Sequence, residues 1–106
     1  MTEQRSADQR SVVVTVVRTG GVAGMRREWR AAPRPDAAAR WVRLVDGCPW
    51  GEPSDGDTGP DRFTWRVRAC VGDRELTRTI PEQALRGPWR TLVDAVREYV
   101  AREDDA

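Results

Sequence analysis

Cys48 and Cys70, the aspartates Asp55, Asp57 and Asp61, five tryptophans and the glycines Gly20, Gly21 and Gly24 are the residues whose types and spacing bear on chemistry. Every basic residue is arginine, and histidine is absent, so the usual general base at neutral pH, the commonest metal ligand and the lysine nucleophile are all missing. Cys48 and Cys70 lie too far apart for a CxxC redox pair or a zinc ribbon, which favours two free thiols over a disulfide in a reducing compartment. A calcium loop starting at Asp55 would put Pro60 where the turn glycine belongs and Arg66 in place of the closing glutamate, so a solvated loop is the better reading. Asp55/Asp57 and Asp104/Asp105 fall in stretches with nothing to hold two carboxylates in catalytic geometry. No dinucleotide fingerprint, phosphate-binding loop, nucleophile elbow or metal triad occurs. No catalytic residue, metal or cofactor is therefore expected, and the protein is read as a non-enzyme.

The elements that would position these residues follow from the hydrophobic pattern. Val12 to Arg18 is a β-branched run suited to a central strand. Met25 to Ala31 alternates, with Met25, Trp29 and Ala31 on one face and Arg26, Glu28 and Arg30 on the other; Arg27 falls on the apolar face, so either its stem packs there or the register is bulged. A helix is predicted from Pro35-Asp36 to Cys48, with Ala37, Ala38, Trp41, Leu44 and Val45 at the 3.6 period and Gly47 and Pro49 as its stop. Phe63 to Val71 alternates, Gly72-Asp73 makes a two-residue turn, and pairing Val71 with Arg74 sets Ala69 opposite Leu76 and Trp65 opposite Ile80. A last helix carries Leu85, Trp89, Leu92, Val93, Val96, Tyr99 and Val100 on one stripe, with Gly87-Pro88 marking either a kink or a short turn before it. The predicted fold is α+β: a four-stranded antiparallel sheet in ββαββα order with two helices on one face. Its length of 106 residues fits one core, giving a disordered tail over 1–10, a single domain over 11–102 and an acidic tail over 103–106.

With 18 basic against 17 acidic residues the net field is weak, which argues against nucleic acid or an anionic membrane as partner. No apolar leader follows Met1 and no run approaches a membrane span, so a cytoplasmic protein, monomeric when free, is expected. The tryptophans invite a stacking platform for nucleic acid, but Trp29, Trp41, Trp65 and Trp89 sit at core positions. Trp50 adjoins the long loop over 49–61 and reads as a lid over the helix end. One reading left standing is a module that binds protein or nucleic acid through Arg26, Arg30, Arg66 and Arg68 on the strand faces.

Arg18-Thr19-Gly20-Gly21-Val22-Ala23-Gly24-Met25 separates the first two strands. On residue type it is either a plain wide turn or an apolar probe, since glycines reach positive φ and the residues between them are apolar. This stretch is similar to R-S-G-G-[FIV]-A-G-[IL], and Pro60-Asp61-Arg62-Phe63-Thr64-Trp65 to D-x-[FY]-x-[YW]. With PDAAARWVRLVDG and the run from Pro60 to Val96, the chain resembles the emfourin family over about residues 12 to 100. Thr19 replaces serine, Val22 stands where a larger apolar residue is common, and Gly87-Pro88 is inserted. The resemblance implies a small bacterial protein that reversibly blocks the active-site cleft of a protealysin- or thermolysin-like zinc metallopeptidase, often encoded beside it. Arg18, Thr19, Gly20, Gly21, Val22, Ala23, Gly24 and Met25 are then the expected contact, with Trp50, Asp61 and Arg62 of the second loop supporting or extending it.

Overall fold

The computed structural model describes residues 11–21, 24–51 and 63–105. Strands β1 (Val12–Gly20), β2 (Met25–Ala31), β3 (Phe63–Val71) and β4 (Arg74–Pro81) form one antiparallel sheet in the order β2-β1-β3-β4. Helix α1 (Ala38–Asp46) follows the first hairpin and α2 (Pro88–Asp105) the second, which is the expected ββαββα order. The valine run of β1 is central because it pairs on both sides, with β2 and with β3, so its backbone groups are satisfied without water. One sheet face carries Val14, Val16, Trp65, Val67 and Ala69, all buried against Trp41 and Val45 of α1 and Leu92, Val93 and Val96 of α2. Each fully buried valine or leucine adds about 1.5–3 kcal/mol of transfer free energy, so this layer holds the helices to the sheet.

The second hairpin has the register expected from its turn: Val71 faces Arg74, Ala69 faces Leu76, Trp65 faces Ile80 and Val67 faces Arg78. The first hairpin resolves the Arg27 alternative. Pairing is unbroken from Val14–Ala31 to Gly20–Met25, so there is no bulge, and the Arg27 guanidinium lies 5.1 Å from the Trp29 ring centroid. Arg27 stays on the apolar face by laying a cation over an aromatic ring. Met25 shares that face yet is 65% exposed, because it ends the strand beside the loop.

Three boundaries differ from the sequence reading. Pro35–Ala37 is a 3-10 turn, and α1 begins only at Ala38. Gly47 ends α1 without the left-handed conformation usual for a terminal glycine: its φ is −77°, and its N–H donates to Arg43 C=O. A Cβ there would lie 3.3 Å from that same oxygen, so the glycine is used for closeness and not for its φ. At the second interruption Glu82–Ala84 forms a 3-10 turn, Gly87 takes φ of 63°, and Pro88 opens α2; this is the short-turn alternative, with proline at a position where no N–H is needed. Helix α2 then runs through Asp105, past Arg102, where the domain was expected to end.

Both cysteines are free. Cys48 is buried at the end of α1 with Sγ 3.5 Å from the carbonyl oxygens of Leu44 and Pro88, while Cys70 is half-buried on the opposite sheet face. Burial pushes the Cys48 thiol from about 9 up to about 11. The folded protein therefore keeps a proton that the unfolded chain releases, and stability is lost as pH rises from about 9 towards about 11. Urea midpoints measured across this range should decline, and Cys48→Ala should remove that part of the slope.

Candidate functional site

The loop end of the sheet is built from three glycines and a column of aromatic and cationic side chains. Gly20, Gly21 and Gly24 have φ of 124°, 81° and 62°, all in the region that favours glycine. The Gly24 N–H donates to Gly21 C=O at 3.1 Å, closing the chain into a four-residue turn just past the Gly20–Met25 pair. Val22 and Ala23 lie outside the described residues. Thr19 pairs with Arg26 and Thr64 on the sheet face away from the helices.

Beneath the turn, β3 begins at Phe63, directly opposite Gly20. The rim of the Phe63 ring approaches Gly21 so closely that a Cβ on the glycine would be 3.2 Å from Cζ. The Arg18 guanidinium covers the Phe63 ring at 3.8 Å from its centroid and stands 5.4 Å from that of Trp65. Among the described residues Arg18 Nε, which is buried, has no hydrogen-bond partner, so the contact with the rings must offset a lost solvation shell. Trp65 in turn stacks on Trp29, with centroids 5.9 Å apart and an interplanar angle of 17°, and its Nε1–H donates to Glu82 Oε1 at 2.7 Å. Arg97 of α2 lies 5.2 Å from the Trp29 centroid. The column thus runs from the glycine turn down to the helix layer.

Of the contact residues expected from the second loop, only Trp50 is described; Asp61 and Arg62, like Asp55 and Asp57, lie outside the described residues. Trp50 is turned inward. Its Nε1–H donates to Val45 C=O at 2.7 Å, and its ring meets that of Trp89 edge-on at 4.8 Å. Its carbonyl accepts from Arg78 at 3.1 Å. It caps the end of α1, as its position beside Pro49 suggests. Phe63, the residue that follows Arg62 in the chain, opens β3 opposite Gly20.

The helix-free face carries Arg26, Arg30, Arg66 and Arg68. Arg26 pairs with Glu28 at 3.3 Å and Arg68 with Glu75 at 2.7 Å, around a shallow trough of about 340 Å³ floored by Thr15 and Val17. Among the described residues this face has no aromatic ring on which a base could stack, since the tryptophans and Phe63 lie on the other side. Among the described residues no three His, Cys, Asp or Glu side chains group as a metal site.

A family model described as Emfourin matches residues 16–97. The chain belongs to the emfourin family. The match covers the first hairpin from Val16, α1, the second hairpin, the first part of α2, and the whole column from the glycine turn to Arg97. Emfourin membership implies a metallopeptidase-inhibitor type of function. Comparison with curated proteins and with solved structures finds no match. Among the described residues of this emfourin, no helix is long and apolar enough to cross a membrane.

Phe63 is the residue whose part in the site the sequence did not reveal. Its place in the alternating β3 pattern reads as core. The available signal was its position in the second family motif, two residues before Trp65.

Proposed function

We propose that this emfourin inhibits a thermolysin- or protealysin-like zinc metallopeptidase by setting the turn over 20–24 against the active-site cleft. The observation that carries the reading is Met25: among the described residues it is the large apolar side chain left exposed, at 65%, and it adjoins the glycine turn. An apolar side chain in water beside a turn already closed by a backbone hydrogen bond supports a contact surface that needs little further ordering on binding. A cleft that takes extended substrate and has an apolar specificity pocket would accept Val22 or Ala23 there. With no histidine in the chain to take zinc, blockage rests on sterics and backbone hydrogen bonds, with at most a carboxylate or water near the metal. The long loop, joined to the sheet at Phe63, would extend the contact through Asp61 and Arg62.

Incubation with a purified thermolysin-like peptidase should give stoichiometric, competitive loss of activity, and full activity at excess emfourin would refute the reading. Val22→Asp should weaken inhibition by at least about tenfold, the effect of ~1.4 kcal/mol from a charge forced into an apolar pocket. Its far-UV circular dichroism should match the native protein. Undiminished inhibition by this variant would exclude the turn as the inserted element.

A further inference from the structure

We infer that Phe63 and Arg18 are positioning residues for the glycine turn: the ring is the seat against which Gly21 is held, and the guanidinium lies over the ring face and holds it. The inference rests on the inhibitory reading above only in taking the turn as the contact surface. Glycines alone do not fix a loop, because each adds conformational freedom that must be lost when the loop orders. Something else must select one conformation. The Phe63 rim leaves little room beside Gly21, where a Cβ would stand 3.2 Å from Cζ, and Arg18 covers the ring face at 3.8 Å.

Arg18 cannot move freely, because it is itself held between Phe63 and Trp65, with Trp29 stacked behind. Its buried Nε has no hydrogen-bond partner among the described residues, so at that atom the ring contacts stand in for the lost solvation. The two stretches that carry the family resemblance, one around Arg18 and one around Phe63, are thus halves of a single support brought together by the β1–β3 pairing of Gly20 with Phe63 and Arg18 with Trp65. Preordering a contact loop in this way lowers the entropy lost on association, so the seat should act on the rate of complex formation.

Hydrogen exchange of the Gly24 amide, whose bond to Gly21 C=O closes the turn, tests this directly. Phe63→Leu keeps an apolar side chain without a ring, and Arg18→Lys keeps the charge without a flat group. Each should speed Gly24 exchange by about tenfold, while amides of Val14 and Val67 in the doubly paired strands change by less than about twofold. The inference is overturned if Gly24 exchange is unchanged in both variants, if the Val14 and Val67 amides accelerate equally, or if Gly24 in the native protein exchanges at the open-chain rate. Association with a purified thermolysin-like peptidase should slow in step with the exchange effect. Slower association without faster exchange would make Phe63 a contact and not a seat, which also overturns it. If the native protein fails to inhibit at all, the inhibitory reading falls while the exchange measurements still decide the seat.

Discussion

Trp65→Ala should lower the stability of the domain by about 3–5 kcal/mol, the range for removing a buried tryptophan, and its melting temperature by roughly 15–30 °C. Trp65 is only 4% exposed and joins three structures at once. It stacks on Trp29 of β2, lies beneath Arg18 of β1, and donates to Glu82 in the turn after β4. Few neighbours can collapse into the space, because Val67 and Ile80 are held in register by the ladder. Since a small domain has a total stability of about 5–15 kcal/mol, the variant should be partly unfolded at physiological temperature. Trp65→Phe separates the contributions, because it keeps a stacking ring and loses the Glu82 hydrogen bond; about 1–2 kcal/mol is expected for it. Urea unfolding followed by far-UV circular dichroism checks both. A loss below about 1 kcal/mol for the alanine variant would show that the column is not a structural joint.

Gly21→Val should reduce inhibition of the target peptidase by about a hundredfold, the effect of losing a hot spot worth ~2.7 kcal/mol, while the urea midpoint moves little. Two costs coincide at this glycine. A β-branched residue is strongly disfavoured at φ of 81°, and its Cβ would meet the Phe63 ring at 3.2 Å. The turn must then open, and it lies past the last ladder pair, so the sheet need not follow. Gly24→Ala separates the two costs: its φ is 62°, but no atom of the described residues lies within 4 Å of the added Cβ, so backbone strain is the cost and a smaller loss is expected. Gly51→Ala meets neither condition and should inhibit as the native protein does. Competitive inhibition constants for the three variants, measured beside their unfolding curves, give the ranking. Equal inhibition by Gly21→Val and Gly51→Ala would remove the turn from the proposed contact.

How much of this was legible depended on how local the determining contacts are. The β3–β4 register could be read because Gly72-Asp73 fixes the pairing and each apolar residue then lands on one face. The pairing of β1 with β3 has no such turn, since the long loop and α1 intervene, and so the meeting of Arg18 with Phe63 and Trp65 could not be counted from sequence. Arg27 signalled its role by breaking the alternation, although only the unbroken ladder distinguished a stacked stem from a bulge. Gly47 ends α1 as its position suggested, although its backbone stays helical beside Arg43 C=O and does not take the usual left-handed cap. The end of α2 misled for an electrostatic reason. Glu103, Asp104 and Asp105 oppose the helix dipole and read as a frayed tail, yet the helix continues through them.

Two indoles lying 5.9 Å apart and nearly parallel share their excited states, so Trp29 and Trp65 form a built-in optical gauge whose near-ultraviolet signal depends on the geometry between them. The gauge is linked to the turn through Arg18 and Phe63, contacts of 5.4 and 3.8 Å. A partner docked on the turn as proposed should therefore alter the signal of a chromophore pair that lies below it. Engagement of the loop becomes observable without any label, in a protein whose remaining tryptophans, at the helices and the α1 cap, supply a reference within the same molecule.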